Sequence, residues 1–165
     1  MPLLGQMKSQ AEIQTAAAAA IAHANADGII PVPLDLIARS QGYEPYKFDG
    51  KSEISGLVDY DNKRIYINGN ESETRQRFTL AHEIGHAVLH RGRKVVDYRK
   101  TIDAPGVVPE EREANSFASE LLMPPDRFKK AWRDRSGNVY RVAAYFGVSH
   151  AAASFRAKNL GLELP

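Results

Sequence analysis

The stretch 78-FTLAHEIGHAVLH-90 decides how this chain is interpreted, because it places three of the five histidines within nine positions. His82, Glu83 and His86 form the pattern H-E-x-x-H, and the apolar residues around them recur at helical spacing. Histidines four positions apart are neighbours on a helix surface, with about 5–6 Å between their Cβ atoms. We therefore predict a helix whose His82 and His86 bind one metal ion, with Glu83 acting on a water molecule beside it.

The alternative interpretation is an ordinary helix that carries an incidental histidine pair. Gly85 lies inside the predicted helix, where glycine costs about 0.8–1 kcal/mol relative to alanine. Something must compensate for that cost, and close packing behind the metal site would do so. The helical context and Gly85 together favour the metal site.

A catalytic zinc site needs a third protein ligand and one open position. His90 lies about 12 Å along the helix from His82 and further around it, so we expect it to pack nearby or support a ligand. Two of the glutamates on the next predicted helix lie in its first turn, where acids often only complement the helix dipole. Spacing alone slightly favours Glu113. The glutamates left open are Glu110, Glu111, Glu113 and Glu120.

Composition excludes several other classes of protein. The 165 residues contain no cysteine, which rules out a disulfide framework and cysteine-based zinc sites. The alanine-rich N terminus lacks the basic start and strongly apolar centre of a signal peptide. No apolar stretch approaches the roughly 20 residues of a membrane span. We expect a cytoplasmic protein without membrane contact, and the sequence leaves its oligomeric state open.

The remaining patterns predict an α+β fold with a small antiparallel sheet. Before the H-E-x-x-H helix we expect helices over 6–26 and after Pro33, a strand over 43–48, and a hairpin of strands 54–60 and 64–68. Asn70 and Glu73 resemble a capping box at the start of the metal helix. A loop should follow over 93–108. A helix opened by Pro109 and closed by Pro124 comes next.

Two motifs together, RFTLAHEIGHAVLH and EREANSFASELLMP, resemble the ImmA/IrrE family of metallopeptidases over residues 54 to about 125. The resemblance implies a zincin-like, gluzincin-type metalloendopeptidase domain, which we place in residues 1–133. It implies zinc ligation by His82, His86 and Glu113, because the family's third ligand directly precedes Ala-Asn, and it makes Glu83 the general base. Manganese accepts the same ligand types. Residues proposed to support the ligands or the oxyanion are His90, Tyr98, Arg99 and Glu120.

Residues 139–158 resemble a helix-turn-helix, and we assign 134–165 to a C-terminal helix pair packed on the peptidase domain. Residues 127–158 carry eight Lys or Arg and one acid, a charge balance that suits nucleic acid or an acidic protein partner. One residue, Arg156, departs from the pattern where a core apolar residue is expected. Direct DNA binding stays open, because the candidate contacts are few for base readout. These candidates are Arg141, His150, Ser154, Arg156 and Lys158.

The resemblance also implies a function, namely a site-specific cut in a helix-turn-helix repressor of the XRE type. Such a cut would relieve repression of stress, prophage, mobile-element or toxin–antitoxin genes. Two alternatives are a DNA-binding regulator with a structural or vestigial zinc site and a module that holds a repressor without cutting it. Glu83 favours the enzyme, since a structural site needs no base. We expect no room in this chain for the larger sensory domain of some relatives.

Overall fold

We describe a computed structural model of the protein over residues 7–51, 53–91, 95–98 and 108–163. Within these ranges the chain forms seven helices and four strands. None of the helices in these ranges is long and apolar enough to cross a membrane. In chain order the elements are α1 Gln10–His23, α2 Leu34–Ser40, β1 Glu44–Phe48, β2 Ile54–Asp59, β3 Arg64–Asn68, α3 Glu73–Leu89, β4 Val95–Tyr98, α4 Pro109–Leu122, α5 Pro125–Asp134, α6 Val139–Phe146 and α7 His150–Asn159.

The four strands form one sheet in the order β1-β3-β2-β4. Strands β2 and β3 are the expected hairpin, and Asp59 closes its turn by accepting from the backbone N–H of Asn62 at 3.1 Å. The sheet is mixed rather than purely antiparallel, because β1 runs parallel to β3. Strand β4 lies within the segment expected to be a loop; it is only four residues long and is defined by antiparallel pairing with β2.

Helix α3 contacts the sheet on one side and α4 on the other. It begins one residue after Ser72, whose Oγ accepts from the backbone N–H of Arg75 at 3.3 Å. The predicted capping pair of Asn70 and Glu73 is therefore wrong. Asn70 instead donates through its side-chain amide to Asp49 Oδ1 at 2.7 Å, which ties the segment after β1 to the start of α3.

Gly85 allows α3 and α4 to approach each other closely. A Cβ atom at this position would lie 3.1–3.3 Å from three side-chain atoms of Phe117, a fully buried residue of α4. Contacts that short force a neighbour to move, and a buried ring has little room to do so. The close packing behind the histidine pair explains why glycine occupies a helix interior.

The C-terminal helix pair shares the core of the rest of the chain. Phe146 of α6 stacks on Phe128 of α5 with 5.4 Å between ring centroids. Both rings belong to the hydrophobic cluster that also contains Ile84 and Phe117. The turn between α6 and α7 uses Gly147 at φ 70°, a left-handed conformation that favours glycine. The division of the chain at residues 133 and 134 stays a prediction.

Candidate metal centre

Three buried side chains converge between α3 and α4. Nε2 of His82 lies 2.8 Å from Oε2 of Glu111, and Nε2 of His86 lies 3.0 Å from Oε1 of the same carboxylate. One donor atom from each residue lies within 4.8 Å of the others. Both histidines are fully buried and Glu111 is 7% exposed. Two imidazole nitrogens and a carboxylate are compatible with a metal site.

The local sequence explains why these three groups meet. His82 and His86 lie one turn apart on α3, with 4.7 Å between their ring centroids. Pro109 starts α4, which places Glu111 in its first turn. Negative charge is favourable at a helix N terminus. At Glu111 the favourable interaction with the helix dipole and the orientation toward α3 therefore occur together. The sequence analysis had instead taken the position in the first turn as a reason to doubt that Glu111 is a ligand.

Glu113, the third ligand expected from the family resemblance, lies beside His90 in the structure. Oε1 of Glu113 lies 2.8 Å from Nε2 of His90, and Oε2 accepts from the backbone N–H of Lys8 at 2.6 Å. Residues two apart on a helix differ by about 200° in direction, so Glu111 and Glu113 project from different sides of α4. Glu111, rather than Glu113, reaches the two imidazoles of His82 and His86.

Each of the two histidines also makes a contact through its other ring nitrogen. Nδ1 of His82 lies 2.8 Å from Oδ1 of Asn115, and Nδ1 of His86 lies 2.9 Å from Nδ1 of His90. His90 thus lies against a member of the cluster without joining it. The sequence analysis missed Asn115, although its position four residues after Glu111 on the same helix face was a usable signal.

The surroundings of His90 favour its neutral form. Burial lowers the pKa of His90, and the hydrogen bond to Glu113 opposes that shift without overcoming it. Its ring therefore carries one N–H at neutral pH. A neutral ring has one donor nitrogen and one acceptor nitrogen, which limits how it contacts its two neighbours.

The other expected site residues fall into different places. Glu83 is fully buried in α3 beside His82, and its role as a base stays a prediction. Tyr98 ends β4, but its side chain lies outside the described part of the structure, as does all of Arg99. Glu120 lies nine residues after Glu111, about 13 Å along α4, and so does not support the metal ligands.

Arg156 was one of the candidate contacts for nucleic acid or a protein partner, and its position in the structure argues against that role. Its side chain is buried, and its guanidinium donates to both carboxylate oxygens of Glu120 at 2.8 Å and to the carbonyl of Met123. A group enclosed in this way has no access to a nucleic acid. Of the other candidates, Arg141, His150 and Lys158 are exposed and Ser154 is partly buried, and their role stays a prediction.

Comparisons with known proteins place these observations in a family. The peptidase M78 family model, described as the IrrE N-terminal-like domain, matches residues 39–158. Metallopeptidase ImmA of Bacillus subtilis strain 168 is 29% identical over 114 residues, 66% of each chain. The uncharacterized immunity region protein 2 of Bacillus phage phi105 is 43% identical over 74 residues.

The aligned segments cover only part of these relatives. The match to the phage protein spans 44% of this chain and 46% of that protein, against about two thirds of ImmA. Among solved structures, a Mycobacterium tuberculosis transcriptional regulator superposes on 90% of this chain and 46% of its own, with a TM-score of 0.64. At 16% identity that likeness concerns the fold alone. Since the family model covers most of the chain and all three residues of the buried cluster, the protein belongs to the ImmA/IrrE (M78) family of metallopeptidases.

Proposed function

We propose that this protein is a zinc-dependent endopeptidase in which His82, His86 and Glu111 hold the metal and Glu83 is the general base. The proposal combines family membership with the buried donor cluster. In this ligand set Glu111 takes the place of Glu113, which the sequence analysis had favoured. The fourth position of such a three-ligand site is the one that water and substrate use in catalytic zinc sites.

The contacts of His82 are the single observation that carries the proposal. Its Nδ1 faces the carbonyl oxygen of Asn115 at 2.8 Å and so carries the ring proton. In the neutral ring Nε2 is then an acceptor, yet it faces a carboxylate oxygen of Glu111 at 2.8 Å. Two acceptors at this distance repel each other unless a proton or a metal ion lies between them, and the buried three-residue donor set suits a metal ion.

A zinc ion fits this arrangement with little movement. Ligand atoms around a tetrahedral zinc with bonds of about 2.0–2.1 Å lie roughly 3.3 Å apart. The distances from Glu111 to His82 and His86 are 2.8 and 3.0 Å, so a shift of about half an ångström would admit the ion. The two imidazoles favour zinc over manganese, which prefers more oxygen ligands.

The chain's own residues then divide the chemistry of peptide hydrolysis. A bound divalent ion supplies a Lewis acid that polarises the scissile carbonyl and lowers the pKa of the attacking water. Glu83 takes the proton from that water and passes it to the leaving amine. Asn115 keeps the His82 ring in the tautomer that the site needs.

We further propose that the substrate is a helix-turn-helix repressor in the cytoplasm, which is cut at one site. The similarity to ImmA and to a protein named for a phage immunity region supports this class of substrate. An extended peptide could add to the sheet at β4, because β4 is an edge strand and pairs on one side with β2. A DNA-binding role is weaker, because Arg156 is committed to an internal ion pair.

Substitution of Glu83 by Gln tests the mechanism. The variant should bind zinc as the unmodified protein does, but its cleavage rate should fall by roughly 10²–10⁴, the usual contribution of a general base. The measurement is mass spectrometry of a purified helix-turn-helix repressor of the XRE type after incubation with protein and zinc. Glu110→Gln, which removes the same charge from the first turn of α4, is the matched control. Undiminished cleavage by Glu83→Gln would contradict the mechanism.

A further inference from the structure

We propose that Glu113 and His90 are positioning residues that fix the ring tautomer of His86 through a chain of hydrogen bonds. The inference rests on the proposed metal site, in which His86 must offer the lone pair of Nε2. It gives a function to two buried side chains that ligation leaves unexplained. It also explains why a second glutamate lies so close to the ligand Glu111 without joining it.

The hydrogen bonds form a continuous series from the N-terminal segment to the proposed metal position. The backbone N–H of Lys8 donates to Oε2 of Glu113 at 2.6 Å, and Oε1 of Glu113 lies 2.8 Å from Nε2 of His90. The other ring nitrogen of His90 lies 2.9 Å from Nδ1 of His86. His90 and Glu113 are both buried, so water does not compete strongly for these bonds.

The protons in this chain have one consistent arrangement. A carboxylate oxygen accepts hydrogen bonds, so the His90 nitrogen that faces Glu113, Nε2, carries the single proton of the neutral ring. Nδ1 of His90 is then an acceptor, and the short contact requires Nδ1–H on His86. A neutral His86 therefore presents the lone pair of Nε2 toward Glu111, the state that a metal ligand needs.

The two ligand histidines reach this state by different routes. Asn115 offers an oxygen to His82, which is an acceptor whatever its surroundings. His90 offers His86 another imidazole, which can either donate or accept. Without the carboxylate of Glu113, His90 could place its proton on Nδ1 and force His86 to protonate Nε2 instead. Glu113 thus fixes the tautomer of His86 indirectly, through His90, whereas Asn115 fixes the tautomer of His82 by direct contact.

Zinc affinity, measured by competition with a chelating dye, provides the first test. Glu113→Gln and His90→Leu should each weaken zinc binding by roughly 10–100-fold, the usual cost of losing a partner of a ligand histidine. His90→Asn should stay within about threefold of the unmodified protein, because its side-chain oxygen restores a direct acceptor like that of Asn115. Glu110→Gln is the control for charge on α4 and should leave the affinity unchanged.

The ring tautomers provide the second test, since a merely structural role for these residues would not change them. Nitrogen chemical shifts of the histidine rings in the metal-free protein should show Nε2–H on His90 and Nδ1–H on His86. In Glu113→Leu the two rings should show a mixture of tautomers. Circular dichroism of each variant checks that it is folded. If Glu113→Leu is not folded, the isosteric Glu113→Gln replaces it in the tautomer measurement.

Three outcomes would overturn the inference. One is Nδ1–H on His90 in the unmodified protein, and another is equal zinc affinity for His90→Leu and His90→Asn. The third is zinc retained by Glu111→Ala but lost by Glu113→Ala, which would make Glu113 the ligand. None of these measurements uses a substrate. A protein that binds zinc as described and cleaves nothing would therefore refute the peptidase while leaving this inference intact.

Discussion

Helix α4 carries a buried glutamate near each end, Glu111 in its first turn and Glu120 in its last, and their surroundings are opposite. Glu120 receives two hydrogen bonds from the guanidinium of Arg156 at 2.8 Å and one from the amide of Gln10 at 3.0 Å. Glu111 faces two imidazole nitrogens. Both carboxylates are largely excluded from water, and Glu120 is paired with a permanent cation, the guanidinium of Arg156.

The comparison distinguishes a buried carboxylate that stabilises the fold from one that is placed to bind a metal ion. Glu120 joins three parts of the chain, since Gln10 belongs to α1 and Arg156 to α7. Because the guanidinium of Arg156 already neutralises Glu120, this carboxylate is not available to bind a metal cation. Glu111 is held beside two imidazole nitrogens, a donor set that is compatible with a metal ion.

The largest effect should come from breaking the ion pair at the far end of α4. Glu120→Ala leaves the guanidinium of Arg156 buried without its carboxylate, and we expect the free energy of unfolding to fall by about 3–5 kcal/mol. Urea denaturation measures this change. Replacing both partners by apolar residues, Glu120→Leu with Arg156→Met, should recover most of the loss. If the double variant were as unstable as the single one, the loss would not come from the unpaired charge.

At the other end of α4 the corresponding substitution should act on metal binding. Glu111→Ala removes one of the three proposed ligands, and we expect zinc affinity to fall by roughly 10²–10³-fold, about one ligand's share of a protein zinc site. Competition with a chelating dye measures it. Glu120→Ala, assayed where it is folded, should keep its zinc affinity. A metal site that survived the loss of Glu111 would remove the basis for contrasting the two glutamates.

A single type of substitution should change the stability of the metal-free protein in opposite directions at the two ends. Glu111→Gln replaces an acceptor with an amide that can donate to a histidine nitrogen, and should raise the free energy of unfolding by about 1 kcal/mol. Glu120→Gln weakens the pair with Arg156 and should lower it. Chemical denaturation with a chelator present tests both, and changes of the same sign would contradict the contrast.

The smallest expected effect concerns the packing between α3 and α4. Gly85→Ala gains helix propensity but pushes a methyl group against Phe117. Overpacking costs typically 1–3 kcal/mol, so we expect a net loss of about 1 kcal/mol in the free energy of unfolding. Gly42→Ala is a comparison site with nothing near the added methyl group, although its positive φ adds strain of its own. Increased stability in Gly85→Ala would show that Phe117 yields easily.

Local patterns predicted those parts of the molecule that depend on neighbours along the chain. The pairing of His82 with His86 follows from helical periodicity alone, and so does the alternation that produced the β2–β3 hairpin. Gly85 was likewise understood as a site of close packing before its neighbour was known. Each of these features is fixed within a few residues of sequence.

The third ligand and the short strand β4 could not be predicted in the same way. Choosing between Glu111 and Glu113 requires the rotation of α4 relative to α3, which is a property of tertiary packing. Strand β4 exists through its pairing with β2, about 40 residues earlier in the chain. Arg156 did give a signal, because it broke the helix-turn-helix pattern, but its partner Glu120 lies 36 residues away.

The contact of Lys8 with Glu113 has a consequence for mutational surveys of this protein. The donor is a backbone N–H, so almost any side chain at position 8 would preserve it. A scan by alanine would therefore score the position as tolerant, although it holds one oxygen of the carboxylate behind His90. Proline alone removes the N–H, and a scan that includes proline would reveal a link from the N-terminal segment to the metal centre that side-chain substitutions cannot detect.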